Sequence, residues 1–272
     1  MNHKHDHIVM NGSVFPNVIA IVCIIVLILY VWAVVVTNRY NRTWPILRSI
    51  SFLFAITFIW LSLVGPFSLY GSDEFDFILH MLGHLFLGML APLLLALSAP
   101  LTLILRSLPT KYARQIATIL KSKLSLFFTH PVVTVVLNIG GLWLLYMTPL
   151  FSWMHTNEWV YWLVHIHVFV AGYLFTISII YIDPIYHRNS FRYRAVALIL
   201  ALAGHSILSK YIYVNPPSGV SPQQAERGSM LMYYGGDIID ALIIFILCLQ
   251  WYKATRPKTG KANGGSIIIT KS

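Results

Sequence analysis

Charge is scarce in this chain. Of 272 residues only 9 are Asp or Glu and 19 are Lys or Arg, 10% in all. That is too few to clothe a soluble domain of this length in a solvated surface. Cysteine is nearly absent as well. Cys23 and Cys248 are the 2 present, both inside apolar runs, so neither a disulfide framework nor a CxxC metal clip is available. No phosphate-binding glycine loop and no repeat of fixed period occur. No residue set looks like a nucleophile with its base and oxyanion donors, so no classical enzyme is expected. What fills the chain is hydrocarbon: 57% apolar residues and a mean hydropathy of +0.71, the composition of a polytopic membrane protein.

Crossing the hydrocarbon takes ~20 predominantly apolar residues. Seven runs qualify: 15–37, 48–66, 78–98, 131–150, 158–181, 193–213 and 232–252. The expected fold is therefore all-α, a bundle of seven transmembrane helices. The formal net charge of +10 would suggest nucleic acid in a soluble protein, but here its placement specifies topology and no nucleic-acid partner is expected. Arg39, Arg42 and Arg48 separate spans 1 and 2, and Arg106, Lys111, Arg114, Lys121 and Lys123 separate spans 3 and 4. Arg188, Arg192 and Arg194 separate spans 5 and 6, and Lys253, Arg256, Lys258, Lys261 and Lys271 follow span 7. Because basic residues stay cytoplasmic, the N-terminus is expected outside and the C-terminus inside.

Three regions follow. Residues 1–13 form a polar extracytoplasmic tail expected to be mobile. Residues 14–252 form the membrane domain, and residues 253–272 a basic cytoplasmic tail. With no basic n-region and small-residue cleavage site, the first span reads as a retained helix. Between spans 3 and 4, near 109–128, Tyr112, Ile116, Ile119, Leu120, Leu124 and Phe127 share one helical face. This is the pattern of an amphipathic helix lying on the cytoplasmic surface. The stretch "VNPPSGVSPQQAERGSM", rich in Pro, Gly and Ser, reads as irregular. Trp153, Trp159 and Trp162 read as an aromatic belt at the outer boundary.

The unusual residues are the histidines. At ~1.5 Å per residue, His80 and His84 fall in the first two turns of span 3, and His165 and His167 in the second and third turns of span 5. His205 lies about two turns below the outer end of span 6, and Asp237 and Asp240 sit at similar depth in span 7. Four helices thus bring ionisable groups into one layer of the outer half. Isolated polar groups in lipid cost several kcal/mol, so they are expected to face the bundle interior and find partners or ligands there. His80 and His84, at i and i+4, share a face and can offer two imidazoles to one ion. His165 and His167, at i and i+2, point to nearly opposite sides. One can bind while the other meets a carbonyl. Asp237 and Asp240 can orient the histidines, and Met81 adds a soft thioether suited to Cu(I). At the N-terminus, His3 with Asn2 and a free amine could wrap Cu(II). A solvated tail carrying His3, His5 and His7 is the favoured reading.

The segment "LHMLGHLFLGMLAPLLLALSAPLTLILRSLP" resembles the hallmark of the CtaG family of cytochrome c oxidase assembly proteins, the caa3-type multi-pass factors of bacteria. "GGLWLLYMTPLF", "VHIHVFVAGYLFTISIIYIDP", "ALAGHSILSKYIY" and "GGDIIDALIIFILCLQWY" resemble its later segments in order and spacing, over roughly residues 45–252. The chain is unlike the proteobacterial copper chaperone of the same name, which has one membrane anchor and a cysteine-bearing domain. The resemblance implies a bacterial cell-membrane protein needed to mature a haem-copper oxidase by helping copper reach it. Its partners would be oxidase subunits, the bilayer and a copper donor protein outside. His80, His84, His165, His167 and His205 match family histidines, and Asp237 a recurring acid. Some members carry a histidine in span 4 where this chain has Tyr146 and Met147.

The expectation is a copper site, Cu(I) favoured, formed by His80, His84, His165, His167, His205, Asp237 and Met81, which passes its ion to the oxidase. The alternatives are a b-type haem electron carrier with His165 or His167 paired to His205, a metal permease, and a structural assembly factor whose histidines only knit the bundle.

Overall fold

The computed structural model describes residues 14–40, 43–68 and 76–257. His3, His5 and His7 and most of the basic tail lie outside the described residues. The helices are α1 (Phe15–Tyr40), α2 (Ile46–Leu63), α3 (residues 77–98), α4 (Pro100–Ser107), α5 (Thr110–Leu120) and α6 (Lys123–Phe128). They continue as α7 (Pro131–Met147), α8 (Leu150–Thr156), α9 (Glu158–Ile179), α10 (Phe191–Val214) and α11 (Pro222–Thr255). No strand occurs among the described residues.

The all-α fold stands, with six helical runs long and apolar enough to cross a membrane: α1, α2, α3 with α4, α9, α10 and α11. The expected fourth span is different. α7 and α8 qualify only as a pair and bend by 78° where Thr148 and Pro149 interrupt the helix, because the residue before proline is pushed out of helical geometry.

Side-chain caps fix several helix starts. Asp76 accepts from the Ile78 and Leu79 amides, Asn157 from Trp159 and Val160, and Ser190 from Tyr193. Ser221 accepts from the Gln224 amide, with Pro222 at the first helical position. This combination shortens the irregular stretch before span 7: residues 215–221 are non-helical as expected, and its second half is helix. A serine cap followed by proline is a start signal that outweighs the surrounding Pro and Gly content, and α11 runs for 34 residues. The amphipathic helix is likewise two helices, α5 and α6, since Ser122 leaves the helical region to cap the second. Trp162 is buried and stacked on Phe15 at 5.7 Å, so it leaves the aromatic belt, while Trp153 and Trp159 remain exposed.

α3 is the hub, packed against α2, α9 and α11. α1 sits at the margin against α2 and α4, and its Ile21, Ile24, Ile28, Val31 and Val35 are each more than half exposed. Apolar surface of that kind needs a lipid or protein partner. α3 and α9 cross closely. A Cβ on Gly172 would collide with the Gly88 carbonyl, the close approach that small residues permit inside membranes.

The helices alternate in direction, and the bundle therefore has two chemically distinct ends. The starts of α3, α9 and α11 and the end of α10 form the histidine end. The basic end gathers Arg48 and Arg106, both over the Trp44 ring at 4.9 and 5.7 Å, with Asp183 and Arg194.

Candidate metal centre

Two helices that build the histidine end are locally unwound. α3 takes a π-helical turn at Phe86–Leu90 and α7 another at Val136–Gly140. Each extra residue rotates the side chains beyond it, a device frequent at functional sites. Between these turns lies a cavity of about 20 Å³, lined by His84, Asn138, Thr176, His205 and Asp240 with apolar neighbours. That is the volume of one water-sized sphere.

His84 and His205 are 8% and 4% exposed, and the Nε2 atom of each is buried without a hydrogen-bond partner. Orphaned buried polar atoms are rare and cost about 1–3 kcal/mol each. The backbone is arranged to admit the His205 ring: a Cβ on Gly236 would lie 2.5 Å from its Cε1.

Next to this pair, towards the helix starts, stands a second group of imidazoles. His80 is near enough to interact electrostatically with His84, His155 and His165, and His84 with His165 and His205. Tyr146 places its hydroxyl 3.0 Å from Nε2 of His80 and 3.7 Å from Sδ of Met81. His165 uses Nδ1 to donate to the Tyr161 carbonyl at 2.7 Å, which leaves Nε2 as its unprotonated nitrogen.

The expected residues thus separate. His84 and His205 meet at the cavity, His80 and His165 stand near them towards the helix starts, and Met81 is buried beside Tyr146. His167 is exposed on the opposite side of α9, and its Nε2 donates to the Leu137 carbonyl at 3.1 Å, as its spacing from His165 requires. Asp237 is exposed, and Asp240, one turn on, faces the cavity instead. Among the described residues no three His, Cys, Asp or Glu side chains already converge at metal-binding distance.

The sequence does not single out Asn138, Thr176 or His155 as site residues. His155 reaches His80 from α8 through the bend after α7. Asn138 becomes cavity-lining through the π turn. Neither displacement has a periodic signal in the residues.

A polytopic helical protein with a buried, histidine-lined cavity near one end is the class defined by this architecture. The chain matches the cytochrome c oxidase caa3 assembly factor family (Caa3_CtaG) over residues 28–254, and it belongs to that family. It is similar to an uncharacterized protein of Mycobacterium leprae (strain TN), 30% identical over 199 residues, covering 71% of this chain and 30% of the relative. A second uncharacterized relative, from Mycobacterium bovis, is 31% identical over 177 residues, covering 62% of this chain and 26% of the relative. The chain spans less than a third of the length of these relatives. No solved structure matches it.

Proposed function

We propose that this chain serves the assembly of a haem-copper oxidase by holding copper, as Cu(I), at the histidine end and releasing it to an oxidase copper centre. The observation carrying this reading is the pair of buried Nε2 atoms of His84 and His205, both partnerless and both at one ion-sized cavity. Imidazole nitrogens suit copper in both oxidation states, and Met81 is a soft donor close by. No catalytic step is assigned.

In this reading the seven-span topology holds, with α7 and α8 as one bent span. The histidine end faces the extracytoplasmic side, because the basic stretches collect at the other end. The partners are the oxidase subunits, the surrounding lipid and a copper donor outside. Asp240 is the acid of the site in place of Asp237, and His80, His165 and Met81 flank it. A haem reading fits less well, since about 20 Å³ accommodates an ion and not a macrocycle.

The test is anaerobic loading of the purified protein with Cu(I), followed by metal analysis and an optical spectrum. One tightly bound copper per chain is expected, and it is expected to be lost in the His84→Ala, His205→Ala double variant. Asp240→Asn is expected to weaken binding about tenfold or more, as loss of a group that supports a ligand does. Unchanged stoichiometry in the double variant, or a Soret band in place of copper, overturns the proposal.

A further inference from the structure

The buried pair lies at the cavity between the π turns, and other imidazoles stand between it and the helix starts. His155 is placed to begin a route through them. It sits on α8, the short helix turned 78° from α7, and is half-buried while Trp153 two residues earlier is exposed. Its ring centre is 6.0 Å from that of His80. With metal–nitrogen bonds of about 2.0 Å and roughly 1.1 Å from nitrogen to ring centre, two imidazoles on one ion have centres up to about 6.2 Å apart. His155 donates from Nδ1 to the Phe151 carbonyl at 2.7 Å. This fixes Nε2 as its basic nitrogen, the arrangement that carbonyl-held metal-binding histidines share.

We propose that His155 is the first station of a histidine relay that carries Cu(I) from the mouth of the bundle through His80 and His165 to the buried pair His84 and His205. The inference rests on the copper reading above.

Each step exchanges one imidazole nitrogen for another. A copper–nitrogen bond to the inner histidine forms as the bond to the outer one breaks. No electron moves and copper stays Cu(I). His155 and His165 need release no proton, because their Nδ1–H groups stay on backbone carbonyls.

The test measures uptake kinetics separately from capacity. Cu(I) bound to a coloured chelator is mixed with purified protein, and the loss of colour gives both the rate and the final stoichiometry. His155→Ala and His155→Gln are expected to keep the wild-type stoichiometry and to slow uptake about tenfold or more, the scale on which a residue supporting a metal site acts. His187→Ala, an exposed histidine at the basic end, serves as the control and is expected to match wild type. Glutamine can still donate to the Phe151 carbonyl, so a helix disturbed by alanine is recognised by comparing the two. Wild-type rates in both His155 variants overturn the relay while leaving copper binding intact. A stoichiometry reduced by one places His155 in the storage site and overturns its role at the mouth. If wild-type protein takes up no Cu(I), the copper reading itself falls, and the relay with it.

Discussion

The two ends of the bundle treat their buried polar groups differently. At the basic end most are bonded, although Arg194 Nε and Thr37 Oγ1 have no hydrogen-bond partner. Asp183 accepts from the Leu101 amide at 3.1 Å and from both the amide and hydroxyl of Thr102, at 2.7 and 2.6 Å. Arg194 is 2% exposed, donates to the Ile179 carbonyl at 2.6 Å and to Gln250 at 3.3 Å, and lies over the rings of Tyr181 and Phe191. Thr134 and Ser178 pair their hydroxyls at 2.8 Å. At the histidine end, His84 and His205 each keep a buried nitrogen with nothing to bond. Polar groups that staple helices together make most of their bonds within the fold, whereas His84 and His205 both turn an unpartnered nitrogen to one cavity. Groups held open at a cost to stability point to something that binds there.

The crossing between the two ends should give the largest effect when disturbed. Gly172→Val would drive a branched side chain into the Gly88 carbonyl, and backbone cannot yield as a flexible side chain can. A loss of about 3 kcal/mol, the upper range for overpacking, is expected in thermal unfolding of the detergent-solubilised protein. Loss of copper binding is expected with it, because His84 is one turn from Gly88. Arg194→Met should come next. It removes charge-assisted bonds to the Ile179 carbonyl and Gln250, at about 2 kcal/mol, and is expected to leave Cu(I) stoichiometry unchanged. If Arg194→Met abolished binding while the protein stayed folded, the separation of the two ends would fail.

The sharpest contrast comes from the same chemical change made at the histidine end. His205→Leu replaces an imidazole holding an unsatisfied nitrogen by an apolar group that needs none. The metal-free protein is expected to gain about 1 kcal/mol, seen as a higher melting temperature, while copper binding is lost. A stability gain at one end and a loss at the other, for similar polar-to-apolar changes, distinguishes a binding site from a staple. A lower melting temperature for His205→Leu would place His205 among the staples.

Much of this was legible in the residues. Long apolar runs gave α1, α9 and α10 nearly to their ends, and the i, i+4 spacing of His80 and His84 put both on the buried face of α3. The spacing of His165 and His167 foretold that they would part. Local departures from ideal helix geometry were hidden. The π turns at Phe86–Leu90 and Val136–Gly140 shift the helical phase by a residue, which no 3.6-residue pattern records. The choice of Asp240 over Asp237 depends on how α11 rolls against α3 and α10, a tertiary outcome. The 78° bend that carries His155 to His80 turns on Thr148 and Pro149, which mark a break without giving its angle.

The smallest effect worth measuring tests whether the basic end is held by its caps. α4 is preceded by Ala99, whose φ of 52° and ψ of 57° are left-handed, a conformation that costs a non-glycine residue about 1–2 kcal/mol. Asp183 opposes that cost by capping the helix start from the loop after α9. Asp183→Ala removes three accepted hydrogen bonds, and a loss of about 1 kcal/mol is expected by analogy with helix caps. Ala99→Gly made in the same background relieves the left-handed strain and is expected to recover part of the loss. Both variants should bind Cu(I) as wild type does, because Asp183 and Ala99 touch none of the histidines. If Ala99→Gly gave no recovery, the cap would be acting on the loop rather than on the turn into α4, and hydrogen exchange at the Leu101 and Thr102 amides would show which.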